Sequence, residues 1–181
     1  LSIASGRLSY VLGLQGPCLA VETACSASLV ALHVAARALR QRECEAHVAA
    51  GVNLILLPSS SFGLAAAGMT SAAGRSHTFD SRADGFARGE GCCAVVLRAG
   101  ESAQVRELSG SSVMQDGRSA SLTAPNGQAQ RALLRAALAD AGVAPAALAR
   151  AEAHGTGTAL GDPIEAGSLA GAVPAARGEG R

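Results

Sequence analysis

Apolar and polar positions divide the chain into alternating helix-like and strand-like stretches. Residues 3–14 carry apolar side chains at Ile3, Leu8, Val11 and Leu12, a helical spacing that Gly13 and Gly16-Pro17 bring to an end. Residues 19–23 form a short apolar run that predicts a strand. A run of good helix formers then extends from Leu29 to Leu39, apolar almost all round, with Arg37, Arg40 and Arg42 at its end. All-round apolarity predicts burial, and the arginines complement the negative end of the helix dipole. Residues 46–57, stopped by Pro58, are apolar nearly throughout and predict a strand buried on both faces. Strand, helix and strand in this order predict a βαβ unit with a right-handed crossover.

Beyond Pro58 the pattern loosens. Residues 58–75 are rich in Ser, Ala and Gly and predict a loop with one short helix over 62–68. A charged, Gly-punctuated loop, 79–91, precedes a clear strand over 92–98. Charge-rich loops are usually solvated surface. Cys92 and Cys93 on that strand point to opposite faces, which favours packing over a vicinal disulfide. Residues 104–114 predict a further strand, followed by a connection through Gln115 to Gly127. An amphipathic helix follows over 128–141, with Leu134, Ala137, Leu138 and Ala141 on one stripe, Asn126 at its start and Gly142 closing it. Residues 151–153 read as the end of a strand that leads into the Gly-rich segment 154–163. From Gly167 the tail is rich in Ala and Gly and carries no chemistry that can be named.

Composition narrows the classes. A chain of 181 residues suits one domain and can bury about 70% of its unfolded surface. A net charge of +1 argues against nucleic acid or an anionic membrane as the main partner. Aromatics make up only 2% of the chain, so the core must be Ala, Val, Leu and Gly, which suits tightly packed α/β layers. All fifteen basic residues are arginine, which reads as a coding bias toward GC rather than as function. No apolar run approaches the ~18 residues of a membrane-spanning helix, and no basic-then-apolar leader is present. The five cysteines form no C-x-x-C pair, which disfavours zinc. Their odd number and apolar settings predict reduced thiols in an intracellular compartment. The chain starts at Leu1 inside an apparent element and stops at Arg181 without a closing one, as a piece of something longer would.

The chemistry centres on the corner between the first strand and the long helix, Val21-Glu22-Thr23-Ala24-Cys25-Ser26-Ala27-Ser28-Leu29. A thiol at a helix N-terminus sits where unpaired N–H groups and the macrodipole favour a thiolate. The small neighbours Ala24, Ser26 and Ala27 leave room for a carbonyl and for backbone donors to an oxyanion. On local pattern alone, a buried cysteine acting as a small hydrophobe is an equal reading. A nucleophilic cysteine needs a proton acceptor, usually His. His33 lies about 12 Å along the helix axis from Cys25, too far to act on it. His47 opens a strand on the far side of a helix, and His77 lies in a loop. His154, ahead of a loop flexible enough to wrap a substrate, is the better candidate, although spacing alone fixes nothing. The same loop does not cradle a nucleotide: Leu160 stands where G-x-G-x-x-G needs glycine, and the chain has no lysine for a Walker motif.

The corner resembles the nucleophile motif of β-ketoacyl synthases (ketosynthases), Val-Asp-Thr-Ala-Cys-Ser-Ser-Ser-Leu, with Glu22 for the aspartate and Ala27 for one serine. Three further stretches resemble the same family, in the same order. Phe79 to Gly91 matches Phe-Asp-x-x-Ala-Asp-Gly-Phe-x-Arg-Gly-Glu-Gly, and Gln115 to Gly127 matches Gln-Asp-Gly-Arg-Ser-x-x-Leu-Thr-Ala-Pro-Asn-Gly. Glu152-Ala153-His154-Gly155-Thr156-Gly157-Thr158, running on to Gly161-Asp162-Pro163-Ile164-Glu165, is similar to the second signature, Glu-Ala-His-Gly-Thr-Gly-Thr. Arg7 to Pro17 resembles a further family segment.

The resemblance implies an α/β, thiolase-like fold, layered α-β-α-β-α, of which residues 1–181 are a partial ketosynthase domain truncated at both ends. They would hold the end of its first half and the start of its second. It further implies a polyketide synthase acyltransferase. Cys25 would take the acyl chain from an acyl carrier protein as a thioester, its own N–H serving as an oxyanion donor. His154 would stabilise the enolate left when a malonyl-type thioester loses CO2. Thr156 and Thr158 would hydrogen-bond the carrier's phosphopantetheine arm. No metal and no directly bound cofactor is implied. The full-length protein would be a homodimer, cytoplasmic or plastid-borne, with residues 46–57 near the two-fold axis. The family's second histidine, in Asn-x-Gly-His near a lysine, and its Gly-rich oxyanion loop lie beyond Arg181, so the fragment alone is expected to be inactive. Alternatives from the same resemblance are a fatty acid synthase condensing domain, a thiolase-like or chalcone-synthase-like enzyme, and a non-elongating domain that only binds carrier-borne acyl chains.

Overall fold

The computed structural model describes residues 2–100 and 106–173. They form two compact units, Leu1–Leu54 with Glu90–Arg106, and Ile55–Gly89 with Glu107–Arg181.

The first unit opens with helix α1, Ser2–Leu12, which ends where Gly13 takes φ 66. A 3-10 turn, Ala24–Ser26, runs directly into α2, Ala27–Arg40. Strands β1, Ala46–Asn53, and β2, Gly91–Arg98, pair antiparallel from Ala46↔Arg98 to Asn53↔Gly91. Helix α2 lies on β1, and the buried apolar residues here are Ala35, Ala36, Ala38, Leu39 and Ala49. The small core follows from the composition: alanine and glycine let helix and sheet approach closely. A Cβ on Gly51 would come within 2.8 Å of Ser28 Cβ, so β1 touches α2 where only a glycine fits.

Five expectations change here. Residues 19–23 form no strand, because they pair with no other segment. The βαβ unit is therefore absent, and β1 instead takes β2 as an antiparallel neighbour. Nor is β1 buried on both faces. Positions 47, 49 and 51 are covered, whereas Val48 and Val52 on the opposite face are exposed, as are Val95 and Val96 of β2. Helix α2 packs on this ribbon and covers one side. Burial of α2 is likewise confined to its C-terminal half; Leu29 remains exposed. The strand also stops at Asn53, four residues before the expected end.

The second unit begins near helix α3, Pro58–Ala66, with proline in the first turn, where its missing N–H costs nothing. The helix thus starts earlier than its sequence pattern indicates. Helix α4, Gly127–Ala141, is capped as expected. Asn126 Oδ1 accepts from the N–H groups of Gln128 and Ala129 at 3.0 and 3.3 Å, and Gly142 closes the helix at φ 64. Helix α5, Gly161–Ala172, packs against α4, and Ser168 Oγ donates to Gly127 O at 3.2 Å across the contact. Residues 167–172, read as tail, thus complete a helix, and 174–181 lie outside the described residues.

The strand expected over 104–114 is not formed in its described part, 106–114; the remainder lies outside the described residues. This segment is tied to the end of α4 rather than to a ladder. Ser111 N–H donates to Asp140 Oδ2 at 2.9 Å, and Gly110 lies so close to Ala141 that no side chain fits between them. Residues 151–153 are also irregular rather than a strand. Their neighbours 154–158 are bound to helix side chains, which leaves them no ladder to extend.

Candidate active site

Cys25 is the central residue of the 3-10 turn at the mouth of α2, and it is exposed. The residue before it, Ala24, has φ 54. Left-handed backbone costs a non-glycine residue about 1–2 kcal/mol, so the surrounding structure must hold the turn. Ser26 Oγ lies 2.9 Å from both Thr23 O and Thr23 Oγ1, closing the turn from inside. Ser28 seats the first turn of α2 against Gly51. The thiol is thus presented outward from a strained, anchored corner rather than packed as a small hydrophobe. Gly51→Ala would force the helix start off the sheet. A loss of about 1–3 kcal/mol in urea unfolding is expected, the usual scale for overpacking, and an unchanged midpoint would refute the contact.

The other cysteines are placed differently. Cys92 and Cys93 lie side by side on β2, and half-buried Cys44 faces Gly16. Cys18 is exposed, and hydroxyl hydrogen bonds from Ser5 and Ser9 hold its thiol below the ordinary range; Ser9 Oγ donates to Sγ at 3.3 Å. His33 lies midway along α2, and His47 pairs with Leu97 in the sheet.

His154, Thr156 and Thr158 belong to the second unit and Cys25 to the first. His154 is exposed, but its backbone is fixed. Its N–H donates to Glu165 Oε1 at 2.6 Å, and Gly155 N–H donates to Glu165 Oε2 at 2.8 Å. Asp162, buried at 4% exposure, accepts from Gly157 N–H at 3.1 Å and Thr158 N–H at 3.3 Å through Oδ1. Through Oδ2 it accepts from Phe79 N–H at 2.7 Å. Thr156 and Thr158 are half-buried, with their hydroxyl oxygens 3.3 Å apart. Gly157 takes φ 75, and a Cβ there would sit 2.8 Å from His77 N, so this loop closes only with glycine.

The charged loop is therefore more than solvated surface. Thr78 Oγ1 donates to Gly155 O, and Gly85 N–H donates to Gly157 O at 2.9 Å, clasping the histidine loop from the other side. Phe79 itself has φ 54. Arg88 Nη1 donates to Ser60 Oγ and Ser61 Oγ at 3.0 and 2.7 Å, tying the loop to α3. At its exposed edge, Arg82 donates to both oxygens of Asp80 and holds that carboxyl well below the usual carboxylate range. Among the described residues, no three His, Cys, Asp or Glu side chains gather as metal ligands, and no helix is long and apolar enough to cross a membrane.

Residues 1–103 match the β-ketoacyl synthase N-terminal domain, and residues 105–180 match the β-ketoacyl synthase C-terminal domain. The chain belongs to the β-ketoacyl synthase family. Among curated relatives, a phenolphthiocerol/phthiocerol polyketide synthase polypeptide of Mycobacterium tuberculosis (strain ATCC 25618 / H37Rv) is 51% identical over 175 residues. That alignment covers 93% of this chain and 9% of the relative's length. A second phenolphthiocerol/phthiocerol polyketide synthase polypeptide, from Mycobacterium bovis, is 48% identical over 93% of this chain and 8% of its own. Among solved structures, the oxazolomycin ketosynthase domain OzmH KS7 of Streptomyces albus JA3453 superposes with TM-score 0.89 at 41% identity, over 94% of this chain and 30% of that one. The ketosynthase from module 6 of the bacillaene synthase of Bacillus subtilis 168 gives TM-score 0.87 at 37% identity, over 94% and 32%. The chain thus has part of the α/β, thiolase-like ketosynthase fold, spanning the end of its first half and the start of its second.

In this ketosynthase chain the two matched domains and the two compact units do not coincide. Residues 55–89 fall in the N-terminal match, yet they belong to the unit that contains the C-terminal match. The bonds from Phe79, Thr78 and Gly85 to Asp162, Gly155 and Gly157 make that junction. In the sequence, Asp162 and Glu165 stand within a family motif but have no evident task. The available signal was two carboxylates three residues apart in the first turns of a helix that follows a Gly-rich loop.

Proposed function

We propose that this chain is the part of a polyketide synthase ketosynthase domain that supplies the acyl-accepting thiol and one histidine of a decarboxylative condensation. The observation that carries the reading is Cys25, exposed on an anchored 3-10 turn at the mouth of α2, directly after the left-handed Ala24. Its thiolate attacks the acyl carbonyl of a carrier-protein thioester, and Cys25 N–H donates to the resulting oxyanion. The pantetheine thiolate leaves, and the acyl group stays on Sγ. Thr156 and Thr158 hydrogen-bond the phosphopantetheine arm of an incoming malonyl-type thioester. Its C–C bond to the carboxylate breaks, CO2 departs, and the electron pair becomes an enolate to which the His154 imidazole donates. The enolate carbon then attacks the Cys25 thioester, which releases the β-ketoacyl chain on the carrier and returns the thiolate. Covalent capture splits one difficult step into two easier ones.

The partners of this reading are an acyl carrier protein and acyl and malonyl-type thioesters, in a cytoplasmic homodimer of the full-length protein. The family's second histidine and Gly-rich oxyanion loop are not among these 181 residues, and the isolated piece accordingly does not condense. β-Ketoacyl product is to be measured from the 181-residue piece and from the complete domain, each beside its Cys25→Ala variant. Product above that control is expected from the complete domain only. Product from the piece would overturn the division of labour.

A further inference from the structure

The first turns of α5 reach back to the loop that precedes the helix. Four backbone N–H groups of residues 154–158, those of His154, Gly155, Gly157 and Thr158, end on the carboxylates of Glu165 and Asp162. Such bonds to an ionised acceptor are about twice as strong as neutral ones. Asp162 sits in the first turn of α5, where the macrodipole favours its charge, and Glu165 follows one turn later. Asp162 also accepts from Phe79, so one buried side chain holds two loops at once and supports the left-handed backbone of Phe79. His154 is exposed, and the bond that fixes its backbone runs from its N–H to Glu165 Oε1 at 2.6 Å.

We infer that Glu165 and Asp162 are positioning residues for His154: they fix the backbone of the histidine loop and thereby aim the imidazole at the developing enolate oxygen. The catalytic half of this statement rests on the role proposed for His154 above; the clamp itself does not. A glutamine at 165 has nearly the shape of glutamate. It keeps one acceptor oxygen but turns an N–H donor toward one of the two loop amides, so one bond is lost and a donor faces a donor.

The test uses the complete ketosynthase domain and three measurements. These are amide hydrogen exchange of residues 154–158 by mass spectrometry, acylation of Cys25 by an acyl N-acetylcysteamine thioester, and CO2 release from malonyl N-acetylcysteamine. Glu165→Gln is expected to speed exchange at 154–155 by about 10-fold, the scale of one lost bond to a charged group. Cys25 acylation is expected to stay within about two-fold, while kcat for CO2 release falls about 10-fold. The same substitution added to His154→Ala is expected to cause no further loss, because it acts through the imidazole. Asp162→Asn serves as the second variant, with faster exchange expected at 157–158. Unchanged exchange in both variants overturns the clamp. An equal loss of CO2 release with and without His154 overturns the positioning role. Should His154→Ala leave CO2 release untouched, the role proposed for His154 fails, and the exchange measurement still decides for or against the clamp.

Discussion

Cys25→Ala in the complete domain is expected to abolish acyl capture and condensation together. The structure gives the reason position by position. Cys25 alone among the five cysteines stands in a 3-10 turn at a helix mouth, directly after the left-handed Ala24, and the others lie in a sheet, against Gly16 or beside α1. The competitor to exclude is Cys18, whose thiol Ser5 and Ser9 pull below the ordinary range. Because its deprotonated form persists to lower pH than an ordinary thiol, Cys18 is expected to react with iodoacetamide at pH values where such a thiol is still protonated. Ser9→Ala is expected to move that onset upward. Easy alkylation is therefore no proof of a nucleophile, and the decisive readout is intact-mass and peptide mapping after exposure to an acyl thioester. Acyl adduct is expected on Cys25 and on no other cysteine. Cys25→Gln is expected to block capture as fully, yet its amide carbonyl imitates the thioester of the loaded enzyme, so CO2 release from a malonyl thioester is expected to persist. Acyl-enzyme on Cys18, Cys44, Cys92 or Cys93 of the alanine variant would show that the nucleophile has been misassigned.

What the sequence made legible follows from which interactions are local. The α4 cap is a side chain bonding its own next turn, so Asn126 and Gly142 could be read directly. The start of α2 just after Cys25 was legible for the same reason, from its run of helix formers, although the strand expected before the corner does not form. Strands were harder, because a strand exists only through its neighbour. Residues 19–23, 106–114 and 151–153 form no ladder, while 46–53 found the antiparallel partner 91–98 instead of a parallel one. Burial failed with them. An apolar run states what a face prefers, and what covers it depends on other segments: α2 covers Gly51 and leaves Val52 open. The largest omission was the pair Asp162 and Glu165. Charged residues at a helix start read as dipole complements, and nothing local says that their bonds reach Phe79 or His154.

His154→Ala is expected to separate the two half-reactions. Under the proposed mechanism the imidazole donates to the enolate oxygen and takes no part in forming the acyl-enzyme. Cys25 is then still acylated, while decarboxylation slows by about 10²-fold, the scale of one lost oxyanion donor. The loop itself gives the substitution little reason to unfold it. The His154 side chain is exposed, and the contacts that fix residue 154 run through its backbone N–H to Glu165, which alanine retains. Hydrogen exchange at 154–158 is accordingly expected to match that of the unsubstituted domain. This separates loss of the imidazole from loss of the loop, and it contrasts with Glu165→Gln, where exchange rises first and CO2 release follows. The measurement is CO2 evolution from a malonyl carrier thioester beside mass-resolved acylation of Cys25 in the same preparation. A parallel fall in both, with exchange unchanged, would place the histidine in acyl capture as well. It would then be acting on the thiol rather than on the enolate.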